Sequence, residues 1–495
     1  MTHNPFESAD QHYQNLVETL RSSEYQNWEH GEIESYLQTE GSELLRRLLQ
    51  RYLDLRAIQE TTQVEVVGAE GEKRPHKRKQ CQRKLETVFG EVKVTRIGYS
   101  IKKEGISALY PEDRKLNLSV DQYSDGVRKR VAVEAAKVSF SETSQTIAET
   151  TGARVGKRQV EELTVKVAQD FEAFYAQRQQ SPEESTQDLL ILTTDGKGIV
   201  MHPAALREAT AKAAKQSNTQ TKTRLSPGEK GQRQRMATVA SIYSTPRYQR
   251  SAQNIIGEDK PPPARPTLKN KRVWASVRQD AESVIHSVFE EATRRDPQHQ
   301  REWVGLVDGN THQLKVFNKT AKQTGVELTL ILDFIHVLEY LWKAAFCFHL
   351  LGSKEAETWV RERALRLLEG KASDVAAGIR RSATLNSLSD KEREPVDQCA
   401  NYLLNHRDYL HYDQYLAQGY PIATGVIEGA CRHLVCDRMD ITGARWRLDR
   451  AEAVLRIRAL SSSGDFQEYW HFHKLQEFQR NHLRYYQDPQ KILAV

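Results

Sequence analysis

Leu189-Leu190-Ile191-Leu192-Thr193-Thr194-Asp195 and, further along, Trp303-Val304-Gly305-Leu306-Val307-Asp308 decide how this chain is read. Each is a short apolar run followed by an aspartate, and such runs are typical of central strands covered on both faces. A third run, 326–332, also ends in an aspartate, Asp333. Ligands of α/β sheets gather at the carboxyl ends of strands, so these acids predict a site. The plain alternative is that Asp195-Gly196 and Asp308-Gly309 are turn pairs that close their strands. One more acid, Glu428, follows the helix-start signal Ala423-Thr424-Gly425 and lies beside the apolar positions Ile427, Cys431, Leu434 and Val435. Its alternative is a surface pair with Arg432 at i, i+4. Pattern alone leaves Glu428 and Asp333 both open as the third acid.

Three carboxylates brought together suit two hard divalent cations, Mg²⁺ or Mn²⁺, and a paired-metal site clamps the attacking and leaving oxygens of a phosphodiester displacement. The acids therefore point toward cutting or joining nucleic acid. A length of 495 residues predicts two to four domains, and 38% hydrophobic with 28% charged residues predicts globular folding. The net charge of +6 is mildly basic, in keeping with a polyanionic partner. Cys81, Cys347, Cys399, Cys431 and Cys436 form no CxxC pair, which argues against a zinc ribbon or disulfide framework and for reduced, intracellular thiols. No secretory signal is visible, and the most apolar segment, 338–351, carries Glu339, Lys343 and His349 and is too short for a bilayer.

Working outward, residues 12–60 read as helix, with Leu44, Leu45, Leu48, Leu49 and Tyr52 as its stripe. The basic run 70–84 reads as a solvated loop or a phosphate contact. It leads to a hairpin, Leu85, Thr87 and Phe89 alternating before Gly90-Glu91, then Val92 and Val94. A helix-turn-helix follows: helix 141–150, the turn Thr151-Gly152-Ala153-Arg154-Val155, and a second helix from Gly156-Lys157-Arg158 with Val160, Leu163 and Val167 on one face. Arg154, Lys157 and Arg158 then stand where recognition helices meet DNA, although any two helices joined by a glycine turn look alike. Residues 201–266 form a basic segment, with Lys212, Lys215, Lys222, Arg224, Lys230, Arg233, Arg235 and Pro261-Pro262-Pro263 around one strand-like stretch, 236–243. A helix over 273–293, strands over 302–307 and 326–332, and an all-helical stretch 337–420 complete the expectation.

Around Glu428 lie Arg432, His433, Arg438, Arg445, Arg447 and Arg450, with Trp446 between two arginines. Arginines interleaved with an aromatic grip phosphate and stack on unpaired bases; a solvated helix face and a core tryptophan are the alternatives.

Taken in order, Thr194-Asp195-Gly196-Lys197-Gly198, Val307-Asp308-Gly309-Asn310, Asp333-Phe334-Ile335-His336-Val337-Leu338-Glu339-Tyr340-Leu341-Trp342, Gly425-Val426-Ile427-Glu428-Gly429-Ala430-Cys431-Arg432, Asp437-Arg438-Met439 and Gly443-Ala444-Arg445-Trp446 resemble the DDE transposases of bacterial Kra-type insertion sequences. The resemblance runs from the hairpin near Phe89 to the segment 464–473, departing from the family pattern at Ala444 and near Asp449. It implies an RNase H-like catalytic domain with Asp195 on the first strand, Asp308 after the fourth and Glu428 on a late helix, so it favours Glu428 over Asp333. Asp333 and His336 match a recurrent motif and stand as auxiliary positions.

The expected architecture is α/β. A helical region (1–70) and a β-hairpin with helix-turn-helix (71–182) precede an RNase H-like catalytic domain (183–336, basic insertion 202–266), which an all-helical insertion (337–420) separates from its C-terminal helices and tail (421–495). The expected activity is metal-dependent DNA cleavage at transposon ends followed by strand transfer, with two Mg²⁺ or Mn²⁺ ions. Expected partners are double-stranded DNA, as terminal inverted repeats and target, and further copies of the chain assembled on it. Arg154, Lys157, Arg158, Lys197, Arg432, Arg438, Arg445, Trp446 and Arg447 are the expected DNA contacts. A DNA-binding regulator without catalysis and a structure-selective nuclease are the competing readings.

Overall fold

The computed structural model describes residues 5–23, 27–102, 105–178, 185–216, 233–256, 264–441 and 443–487. The fold is mixed α/β and divides into two compact units, Met1–Ala176 with Asp465–Val495, and Gln177–Gly464. The segment expected as 421–495 is thus shared between them, its part from Asp465 onward grouping with the first unit. No helix among the described residues is long and apolar enough to cross a membrane.

In the first unit, the helix expected over 12–60 is two helices, Glu7–Arg21 and His30–Gln59, the second started by a capping box between Glu29 and Glu32. An antiparallel pair follows, β1 (His76–Thr87) and β2 (Gly90–Ser100). The turn is Val88-Phe89 rather than Gly90-Glu91, because Thr87 pairs with Gly90, which takes a φ of 121°. Much of the expected basic loop is therefore strand β1, and Arg74 is buried in an ion pair with Glu72 at 2.6 Å.

Helices Asp125–Ala135, Phe140–Thr150 and Lys157–Val167 pack around Val127, Val131, Ile147, Ala153, Val155, Val160 and Leu163. The second helix starts at Ser139, which forms a capping box with Glu142. Gly152, in the turn, donates its N–H to the Val88 carbonyl at 3.0 Å. A Cβ there would lie 2.5 Å from the Phe89 backbone, so glycine is required for the hairpin tip to seat. The same unit takes in helix Phe466–Asn481, whose Glu477 forms an ion pair with Arg128, a side chain only 1% exposed.

The second unit is built on a five-stranded sheet in the order β5-β4-β3-β6-β7. Its strands are β3 (Leu189–Val200), β4 (Gln234–Thr245), β5 (Lys269–Ser276), β6 (Trp303–Val307) and β7 (Leu328–Leu332). β3, β4 and β5 pair antiparallel, while β3, β6 and β7 run parallel. Two expectations are corrected here. β5 occupies the start of the expected helix 273–293; that helix begins at Ala281, where the Asp280 side chain accepts from the Ser283 N–H at 2.8 Å. β3 does not stop at Asp195: it continues to Val200, held by pairing with β4, after its pairing with β6 has ended at Thr193.

Of the basic segment, β4 and helix Glu208–Gln216 are described, while Lys222, Arg224, Lys230 and Pro261-Pro262-Pro263, with the side chain of Lys215, lie outside the described residues. After β7 the chain is helical in Phe334–Ala345, Lys354–Leu368, Ala372–Leu385, Asp390–Asn405 and Tyr412–Ala417, and then reaches Gly425–Ala430, which carries Glu428.

Candidate functional site

The paired parallel strands β3 and β6 run in register from Leu190↔Trp303 to Thr193↔Leu306. Asp195 lies two residues beyond the last pair on β3 and Asp308 directly follows β6, so both stand toward the same end of this strand pair. Adjacent residues on β3 identify the faces. Gln313, on helix Thr311–Thr324, donates to both the carbonyl and the hydroxyl of Thr194 at 2.7 Å, while Cys431 donates its thiol to Asp195 Oδ2 at 3.3 Å. The helix and the Cys431 segment therefore cover opposite faces.

Asp195 Oδ1 accepts from the Gly196 N–H at 2.6 Å. Asp308 Oδ1 accepts from the Asn310 N–H at 2.9 Å, closing a tight loop around Gly309, whose φ is 88°. Two side chains one helical turn apart grip this loop from helix Asp390–Asn405 and its end. The Tyr402 hydroxyl donates to the Asp308 carbonyl at 2.9 Å, and His406 Nε2 contacts the Gly309 carbonyl at 3.0 Å. Tyr402 also stacks on Tyr340, ring centroids 4.0 Å apart. These grips were not read from the sequence: Tyr402 and Asp308 are 94 residues apart, and no local pattern joins them.

The Glu428 helix packs on β3 and β4, and the chain continues as a π-helical turn, Cys431–Cys436, that also lies on β3. Arg458 donates to the His433 and Leu434 carbonyls in that turn, satisfying groups that its wider winding exposes. Glu428 is exposed and makes no ion pair among the described residues; Arg432 instead faces Asp437 at 3.7 Å. Partial burial raises the pKa of Glu428, and repulsion by Asp333, Asp195 and Glu339 adds to the rise, opposed by His336. Glu428 thus feels the charge of Asp195 from across the segment that joins them.

Asp333 is different. It is 2% exposed, its Oδ1 accepts from the Ile335 and Thr424 N–H groups at 3.0 and 3.2 Å, and its Oδ2 accepts from the Thr424 hydroxyl. Burial raises its pKa against the lowering effect of those bonds. With both oxygens engaged, Asp333 caps helix Phe334–Ala345 and latches the residue that precedes the Glu428 helix. His336 lies half-buried on the same helix, near enough to act electrostatically on both Asp333 and Glu428.

Among the other expected contacts, Arg154, Lys157 and Arg158 are exposed at the start of helix Lys157–Val167, Arg158 pairing with Glu162 at 2.9 Å. Lys197 is exposed two residues beyond Asp195 on the same face of β3, near Cys436. Arg432, Arg445 and Arg447 are exposed. Arg438 and Trp446 are not: they are 2% and 5% exposed, the guanidinium lies 4.7 Å from the indole centroid, and Trp446 Nε1 donates to the Met439 carbonyl at 3.0 Å. The pair anchors the loop, the alternative weighed for Trp446 from the sequence.

Among the described residues, no group of three or more His, Cys, Asp or Glu side chains is gathered closely enough to hold a metal ion. The donor chemistry nevertheless suits a hard cation: carboxylates at the ends of neighbouring strands, with Glu428, whose ionisation the charge of Asp195 opposes. No known family model matches the chain, and no curated protein matches it.

Proposed function

We propose that the chain is a DDE-type transposase that cleaves DNA at transposon ends and joins the freed ends to target DNA. What supports the reading is that Asp195 and Asp308 stand toward the same end of the neighbouring strands β3 and β6, and that the helix bearing Glu428 packs on β3. The strand order β5-β4-β3-β6-β7, with the second strand antiparallel and the first and fourth adjacent at the centre, supports an RNase H-like reading of the sheet. On that reading, the helices between Phe334 and Ala417 are an insertion between the second and third acids.

Asp195, Asp308 and Glu428 would hold two Mg²⁺ or Mn²⁺ ions, which when bound supply an activated water and stabilise the departing 3′ oxygen. The chain's own residues prepare that site. The Gly196 N–H and the Cys431 thiol fix the two oxygens of Asp195, Tyr402 and His406 hold the Asp308 loop, and the Asp333–Thr424 latch sets where the Glu428 helix begins. Glu428 alone is left with a free, exposed carboxylate, the one best able to move onto a cation. The same three residues would serve hydrolysis and, with a 3′-hydroxyl in place of water, strand transfer. The exposed cations of helix Lys157–Val167 support end recognition through the major groove.

Incubating the chain with Mg²⁺ and a labelled end-bearing duplex separates the readings. A transposase cuts and joins, a structure-selective nuclease only cuts, and a DNA-binding regulator does neither. Asp195→Asn, Asp308→Asn and Glu428→Gln are each expected to lower cleavage by about 10²–10³-fold or more while end binding persists. Unimpaired cleavage by any one of them removes that residue from the site.

A further inference from the structure

A groove of about 940 Å³ runs beside helix Thr311–Thr324, walled on its other side by His406 and Tyr409. It opens next to the acidic site, since the same His406 contacts the Gly309 carbonyl. Lys315, Lys319 and Lys322 line it at helical spacing, and no lining residue carries a carboxylate. Lys319 reaches outward to Glu282 at 2.9 Å. Lys315 and Lys322 are exposed and make no ion pair among the described residues.

A solvated helix face would show the same spacing, but these lysines border a concavity, where low-dielectric walls focus positive potential. Seven residues of helix separate Lys315 from Lys322, about 10.5 Å at 1.5 Å per residue. Phosphates recur once per nucleotide along a DNA strand, so a stretch of this length passes more than one of them. A phosphodiester chain offers each ammonium group its own charge, which a single phosphate or carboxylate cannot.

We propose that this groove carries the sugar-phosphate backbone of a nucleic-acid strand past the acidic site. The inference rests on the nucleic-acid reading above and gives that reading a track for the strand. The contacts are to phosphate alone, so they are blind to sequence.

The test is a fluorescence-anisotropy titration of the full chain with a duplex of arbitrary sequence, at several salt concentrations and without divalent metal. The Lys315→Ala/Lys322→Ala chain is expected to show a log K against log salt slope shallower by about 1.8, two contacts at 0.9 each. Lys315→Arg/Lys322→Arg is expected to keep the wild-type slope. An unchanged slope in the alanine chain overturns the proposal, as does equal loss in the arginine chain. Wild-type protein that shows the groove-dependent slope but never cuts DNA defeats the transposase reading and leaves the groove standing. Normal cutting with an unchanged slope does the reverse, and failure to bind any duplex overturns both.

Discussion

Glu428 stands in a position that penalises its own charge. Partial burial raises its pKa, and Asp333, Asp195 and Glu339 repel the ionised form. A carboxyl with a raised folded pKa contributes stability that is complete below its unfolded pKa and is lost as pH rises through the folded value. Glu428→Gln removes that loss. In chelator, the variant is expected to melt above the wild type at pH 8, and the difference should close by pH 4. Added Mg²⁺ should reverse the order at pH 8, because a cation bound by the carboxylate stabilises only the wild type. Identical melting at both pH values would leave no room for the repulsion.

Tyr402 acts on the neighbouring acid through the backbone. Tyr402→Phe keeps the stack on Tyr340 and removes the hydrogen bond to the Asp308 carbonyl. The expected cost is about 1 kcal/mol of stability. If Asp308 binds metal, the half-saturating Mg²⁺ concentration should also rise by about 10-fold or more, as for other groups that orient a ligand. A stability loss without any change in metal dependence would make Tyr402 a packing residue only.

At the scale of elements, the turn of the helix-turn-helix and the tip of the β-hairpin fit because Gly152 has no side chain. Gly152→Ala forces a Cβ to within 2.5 Å of the Phe89 backbone, which cannot rotate away as a side chain would. The expected destabilisation of the first unit is about 1–3 kcal/mol, read from urea unfolding. A neutral result would show that the tip does not seat there in solution.

The elements that the sequence displayed are those with strong local signals: the apolar runs of β3, β6 and β7, and the Gly156 helix start. β5 was hidden because Val273, Trp274, Ala275 and Val277 join smoothly to the apolar stripe of the next helix, and only the Asp280 cap divides them. β3 appeared to stop at Asp195 because Asp-Gly is a turn signal; pairing with β4 overrides it. Trp446 and Arg438 looked like contacts because an aromatic among arginines reads the same whether it faces water or core. The acids themselves were legible, but their supports were not, since Cys431, Tyr402 and Thr424 reach them across long stretches of chain.

At the scale of the whole molecule, the first unit is discontinuous in sequence, residues 465–495 completing what residues 1–176 begin. His473, fully buried, contacts Asp170 at 2.7 Å, and Glu477 neutralises Arg128. Removing one partner of a buried ion pair costs about 3–5 kcal/mol. Glu477→Gln is therefore expected to unfold the first unit, which holds its partner Arg128, at lower urea while the second unit keeps its transition. Loss of both transitions together would contradict the division into two units.

That discontinuity imposes an order on synthesis. The segment that carries Glu477 leaves the ribosome only after all of residues 177–464, so Arg128 waits, buried partner absent, until the sheet and its helices have been translated. Residues 1–176 then mature only after the second unit has been made, and a product terminated within that unit carries Arg128 without the Glu477 carboxylate that neutralises it.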